Sequence, residues 1–298
     1  MALSKRTRGK TQAGRLWLVD DWCAALFPKQ GLTKNSGPPW LVDVGFGEVA
    51  DTAVELHETL RLRGEDWQLL ATDMDVHRVE NAAERFGRDD RVFAVQDFRL
   101  EKFLELQKLM LPTVNDDNDE SSVGATLIRA FNVLRQYQPK ECAAVHELLA
   151  TKLREGGWLV EGTSDRAGDL ASFHVFSRRH GRLERTALVF LSSGERGFGP
   201  WQFRDVLPQD IRRSVGLGTW LWDFFTAWED CATQAREART RRQERVGSSS
   251  PLEIFEESVA LLRETSWEVH SCSLPSGMAM VLQASLDPLA SPLLRRPA

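Results

Sequence analysis

Four residues in the run LVDVGFGEVA, from Leu41 to Ala50, have the types and spacing to form a ligand cradle: Asp43, Gly45, Gly47 and Glu48. Glycine lets a chain turn where a side chain would collide, so main-chain N–H groups can approach a bound molecule closely. In a dinucleotide enzyme a turn of this kind holds a pyrophosphate against the positive end of a helix. Two carboxylates at that point would repel it. Asp43 and Glu48 suit a neutral or cationic ligand instead, such as one carrying an ammonium or sulfonium group.

The elements that would position these residues can be read from the same pattern. Leu41, Val42 and Val44 form a short apolar run suited to a buried parallel strand, and DTAVELHETLRLRG then places Ala53, Leu56 and Leu60 on one helical face before Gly64. Strand, glycine turn and helix make the nucleotide end of a doubly wound sheet. WQLLATDMD (67–75) reads as a second strand ending in acids, followed by the helix VHRVENAAERFG with Asp75 as its cap. RVFAVQDF (91–98) is a third strand ending near Asp97, ATLIRAFNVL a fourth, and WLVEGTSD (158–165) a fifth. The spacing predicts a surface helix over PKECAAVHELLATKLREGG (139–157) and a mobile acidic loop over 113–124. Alternating strands and helices imply an α/β fold with right-handed crossovers.

Around this core, residues 14–27 carry apolar positions at helical spacing and GPP at 37–39 breaks the chain after them. Beyond residue 165, ASFHVFSRRHGRLERTALVFLSS reads as an antiparallel hairpin, 217–246 as a long helix, and LEIFEESVALLRETS as a last helix. WEVHSCS and GMAMVLQAS then close the sheet with an antiparallel edge. The domain reading is a helical N-terminal cap over 1–39, a cofactor-binding core over 40–194, a helical elaboration or lid over 195–250, and a terminal helix and strands over 251–298. Trp220, Phe224 and Trp228, with Leu221 and Phe225, form an aromatic stripe read first as core, with a substrate-facing lid as the alternative.

Ligands of doubly wound sheets sit outside the carboxyl ends of the strands. Asp43, Glu48, Asp73, Asp75, Asp97, Arg129, Asn132, Glu161, Thr163 and Asp165 all fall at or near those ends. A carboxylate at Asp73 can accept both hydroxyls of a ribose, and Asp97 can accept from an adenine amino group. Arg129, in an otherwise apolar strand, needs a carboxylate partner, for which Asp165 and Glu161 are the candidates. His174 and His180 are read as packing or surface residues, with a catalytic base as the alternative.

At this point the chain resembles the class I S-adenosylmethionine-dependent methyltransferases. LVDVGFGE is similar to their first motif, ATDMD to the acidic end of their second strand and VQDF to their third motif, while RAFNVL and LREGGWLVEG resemble the fourth and fifth strands. The likeness covers residues 40 to 165. IRAFNVLRQY, VEGTSD and RDVLPQDI further resemble a bacterial branch of methyltransferase-like proteins. The resemblance implies a mostly parallel, seven-stranded Rossmann-like sheet and S-adenosyl-L-methionine as cofactor. It places Asp43 near the methionine amino group, Gly45 and Gly47 along the cofactor with Glu48 beside them, and Asp73 with Met74 at the ribose. Asp97 and Phe98 would hold the adenine, and Phe131 and Asn132 would lie beside the sulfonium. Where the family often has a third glycine this chain has Val49, which widens the turn or lowers affinity.

Composition bounds the acceptor. A net charge of -5 argues against a nucleic-acid surface, and the basic start MALSKRTRGKTQAGR is read as a solvated tail. NVLR stands where many amino-group DNA methyltransferases carry NPPY, so a small-molecule acceptor is expected ahead of nucleic acid or protein. Methyl transfer is a direct displacement that needs alignment and exclusion of water, so no catalytic residue is assigned. Cys23, Cys142, Cys231 and Cys272 lack CxxC spacing, which indicates neither zinc nor disulfides. With no spanning apolar run and no signal peptide, a cytoplasmic enzyme without a metal or membrane is expected. Two alternatives stand: a nicotinamide oxidoreductase, since GFGEVA matches GxGxxA and Asp73 follows at a fitting distance, and a methyltransferase-like binding protein without turnover.

Overall fold

The computed structural model describes residues 12–26, 38–64, 66–110, 123–243 and 250–283. Almost all of the acidic stretch 113–124 and of the basic start lies outside them. One nine-stranded sheet runs through the described chain, in the order β3-β2-β1-β4-β5-β6-β7-β9-β8.

The parallel half consists of β1 (Trp40–Val44), β2 (Gln68–Asp73), β3 (Arg91–Val95), β4 (Ala125–Phe131) and β5 (Leu153–Ser164). Every residue of β1 and β4 is buried, as a central strand covered on both faces requires. The antiparallel half consists of β6 (Leu170–Arg179), β7 (Arg182–Ser192), β8 (Val269–Leu274) and β9 (Gly277–Gln283). The sheet is therefore α/β and doubly wound, but it has nine strands where seven were expected. The excess lies in the hairpin β6–β7, which continues the sheet directly from β5 and carries β9 and β8 beyond it.

Helices cover both faces. On one face α1 (Trp17–Leu26), α2 (Asp51–Arg61) and α3 (Val76–Phe86) bury Leu18, Trp22, Leu56, Leu60 and Val79 against Leu41, Leu69, Val160 and Phe173. On the other, α4 (Phe103–Met110) and α5 (Pro139–Ala150) close over Val42, Ile128 and Leu159, with Phe103, Val145 and Leu149. The antiparallel half is covered on that second face by a 3-10 segment (Pro200–Val206), α7 (Trp220–Gln243) and α8 (Pro251–Arg263). A short helix, α6 (Gln209–Arg212), lies between them in sequence.

Two local expectations change. The helix expected over 139–157 ends at Ala150, and residues 153–157 are already strand, with a register break against β4 between Ala125 and Leu127. The aromatic stripe of α7 is core: Leu221, Phe224, Phe225 and Trp228 are fully buried, Phe224 stacks on Phe190 of β7, and Trp228 donates from Nε1 to Ser258 Oγ at 3.0 Å. Those rings do not line the cavity beside the glycine turn.

Candidate functional site

The turn after β1 is left-handed at both glycines, with φ of 74° at Gly45 and 86° at Gly47, a region that L side chains adopt at a cost. The N–H groups of Gly45 and Phe46 both donate to the Thr72 carbonyl, at 2.7 and 3.2 Å, tying the turn to the end of β2. Asp73 completes the tie. Its Oδ2 accepts from Gly47 N–H at 3.0 Å with the Arg78 guanidinium 3.7 Å away, and its Oδ1 accepts from Asp75 N–H at 2.9 Å. The Asp73 side chain is fully buried, so its charge holds the turn from beneath.

Above the turn lies a cavity of about 490 Å³, counting space open to solvent, lined by Arg15, Leu16, Asp43, Val44, Gly45, Phe46, Gly47, Thr52, Phe131 and Asn132. Five expected residues meet there: Asp43, Gly45, Gly47, Phe131 and Asn132. Asn132 ends β4 with φ of 61°, and that strained backbone is locked on three sides. Its N–H donates to Gly162 O at 2.8 Å, its Nδ2 to Ser164 Oγ at 3.1 Å, and its Oδ1 accepts from Ser164 N–H at 3.1 Å. Phe131 packs edge-on against Phe173 at 5.5 Å.

Of the other five expected residues, Asp73 is the one that ties the turn, and Glu48, Met74, Asp97 and Phe98 lie elsewhere on the same strand ends. Glu48 is exposed in the turn, and Met74 is 38% exposed after β2. Asp97 follows β3 and folds onto its neighbour, accepting from Arg99 N–H at 2.9 Å and Arg99 Nε at 2.8 Å. Partial burial pushes that carboxyl up, but the bonds from Arg99 outweigh it and hold it below the ordinary aspartate value. Phe98 is buried, edge-on to Tyr137 at 5.6 Å. Asp75 caps α3, accepting from the N–H groups of His77 and Arg78, as expected.

Beneath the cavity, Arg129 is completely buried, and its partners are not those expected. Neither Asp165 nor Glu161 reaches it. Nε donates to Asp43 Oδ1 at 2.7 Å, Nη1 to Asp20 Oδ1 at 2.5 Å, and Nη2 to the Thr52 carbonyl at 2.8 Å. Burial pushes the Asp20 carboxyl up to about 8, against the opposing pull of the Arg129 charge. Burial alone would lower the Arg129 guanidinium, but Asp43 and Asp20 together raise it above the usual arginine value. Asp20 and Arg15 were absent from the expected site. Asp20 is an acid among apolar helix positions and Arg129 a cation in an apolar strand, and only that mutual oddity links them in the sequence.

Glu161 and His174 face the opposite side of the sheet from Val160 and Phe173. His146 Nε2 is 3.2 Å from Glu161 Oε2, and His174 Nε2 is 2.9 Å from Asp210 Oδ1. His174 is buried and packed, as first read, and does not line the cavity. His180 sits at the tip of the β6–β7 hairpin. Among the described residues, no group of three or more His, Cys, Asp or Glu could hold a metal ion, and no helix is long and apolar enough to cross a membrane.

No family model and no curated protein matches the chain. Several solved structures are similar to parts of it. One is a TehB-like S-adenosylmethionine-dependent methyltransferase from Corynebacterium glutamicum, 19% identical over 54% of this chain and 67% of that one, with a TM-score of 0.32. Another is the magnesium protoporphyrin IX methyltransferase from Synechocystis, 10% identical over 89% and 78% of the two chains, also at 0.32. A third, the methyltransferase domain of a citrinin polyketide synthase, is 17% identical over 45% of this chain, which spans only 31% of that structure. The parallel order β3-β2-β1-β4-β5, with a glycine turn after the first strand and helices on both faces, gives this chain a doubly wound, Rossmann-like fold.

Proposed function

We propose that this chain binds S-adenosylmethionine and transfers its methyl group to a small acceptor by direct displacement. The observation that carries the proposal is the convergence in one cavity of Asp43, the glycine turn, Phe131 and Asn132, with a carboxylate where a dinucleotide would need room for its pyrophosphate. The donor set fits the cofactor. Asp43 offers a carboxylate steadied by Arg129, and the left-handed glycines bring backbone against the ligand without a side chain in the way. Phe131 and Asn132 form the wall at the end of β4.

When bound, the cofactor supplies an electrophilic methyl group on a sulfonium. The chain's part is alignment and exclusion of water. Asp73 enters as the residue that shapes the turn, and a ribose contact at the end of β2 is the finer part of the proposal. Asp97 and Phe98, one strand further out, are proposed at the adenine end.

Calorimetry and thermal shift with S-adenosylhomocysteine and with NADH test this directly. A ligand that binds only the folded chain raises its apparent stability by mass action, so a saturable rise in Tm with S-adenosylhomocysteine alone is expected. A response to NADH and none to S-adenosylhomocysteine would replace the proposal with the oxidoreductase.

A further inference from the structure

The arginines near the end of β4 have a chemistry of their own. Arg15 lines the cavity and is aimed by two neutral carbonyls, donating from Nε to Asp165 O at 3.0 Å and from Nη2 to Ser164 O at 3.3 Å. The carboxylate of Asp165 offsets part of that charge, but it also faces Arg196 at 3.5 Å. Arg135 stands three residues past Asn132, in the 3-10 turn Leu134–Gln136. Arg212 ends α6, which is docked beside that turn by Gln209 Nε2 donating to Tyr137 O at 2.8 Å and by Arg213 Nη1 donating to Gln138 Oε1 at 3.4 Å. Three separate segments, the stretch before α1, the turn after β4 and α6, thus carry arginines close to the end of β4.

Their mutual repulsion is felt. Arg135 is exposed on its outer side, yet crowding by protein atoms first, then the charges of Arg212 and Arg15, hold it below the ordinary arginine value, and Asp205 is the acid that pulls the other way. Gathering like charges is unfavourable unless an anion shares them. Guanidinium groups are suited to planar, two-point recognition of carboxylate and phosphate.

We infer that Arg15, Arg135 and Arg212 form an anion-binding wall and that the methyl acceptor is a small molecule bearing a carboxylate or phosphate group. The word acceptor rests on the methyltransferase proposal; the anion does not. A single-stranded nucleic acid would call for aromatic platforms interleaved with the cations and a wider basic footprint, whereas this cluster carries Asp205 and Asp165 among its arginines.

The test is calorimetry on the full chain at constant ionic strength, with and without saturating S-adenosylhomocysteine, using inorganic phosphate, succinate and a short single-stranded DNA as separate probes. Phosphate or succinate should bind saturably in the presence of S-adenosylhomocysteine. Arg135→Gln and Arg212→Gln should each weaken that binding about ten-fold, as loss of a charge-assisted bond predicts, and leave S-adenosylhomocysteine affinity unchanged. Arg135→Lys should recover part of the loss. The wall is refuted if neither small anion binds, or if S-adenosylhomocysteine displaces the anion, which would assign it to the cofactor's own site. It is refuted too if the DNA binds far tighter than phosphate with the same arginine dependence. Arginine-dependent phosphate binding in a chain that ignores S-adenosylhomocysteine would leave the wall standing and remove the methyltransferase.

Discussion

Arg129 is completely buried, and three separate elements meet its guanidinium: α1 through Asp20, β1 through Asp43 and the start of α2 through Thr52 O. Removing one partner of a buried ion pair leaves the other charge uncompensated. Arg129→Ala should therefore lose about 3–5 kcal/mol of stability in urea titrations. Asp20 makes a prediction of different form. Its carboxyl titrates at about 8 in the folded chain and near 4 when unfolded, so the folded form keeps a proton that the unfolded form has lost between those values. The stability it contributes is whole below about pH 4 and is lost as pH rises through about 8. The urea midpoint should fall between pH 4 and pH 8, and Asp20→Asn should flatten that fall. Asp73→Ala should free Gly47 N–H and weaken S-adenosylhomocysteine binding about ten-fold or more by calorimetry, given the strength of hydrogen bonds to charged groups.

At the scale of elements, the periodic segments were legible and the irregular ones were not. The first three strands, the cap at Asp75, the hairpin around His180–Gly181 and the long helix α7 follow from alternation, helical spacing and turn residues that the chain displays openly. The end of α5 was misjudged because Gly156–Gly157 looks like a helix stop. In the folded chain Gly157 is strand instead, where a Cβ would come within 2.7 Å of the Ala125 carbonyl. The pieces at 200–212, which carry Asp210 and Arg212, are too short to establish a period, so they were read only as part of a helical elaboration over 195–250. The stripe on α7 has a periodicity that states burial without saying against what. Trp228→Ala should cost about 3–5 kcal/mol, as large-to-small changes in a core do, while S-adenosylhomocysteine affinity per folded molecule stays the same. A loss of cofactor affinity in the still-folded variant would return α7 to the site.

For the molecule as a whole, the doubly wound plan could be read because each parallel strand is an apolar run ending in polar residues, but the order of the antiparallel strands could not, since pairing is a long-range choice among similar runs. β9 lies between β7 and β8 and seals an edge that would otherwise be open. Deleting 266–283 should expose that edge and the apolar side of α8, so the truncated chain should elute as aggregate in size-exclusion chromatography. The parallel half contributes the glycine turn, Asp43, Phe131 and Asn132, whereas Arg15, from before α1, comes from outside the sheet altogether, which is why motif spacing alone could not reveal it. The hairpin β6–β7 offers a practical opening. β6 runs antiparallel to β5, so its turn at His180–Gly181 points away from the strand ends that carry the cavity, and space around Gly181 is open. A fluorophore or affinity tag attached there would travel with the rigid sheet while standing at the far pole from the ligand, reporting on the molecule's tumbling and assembly without touching what it binds.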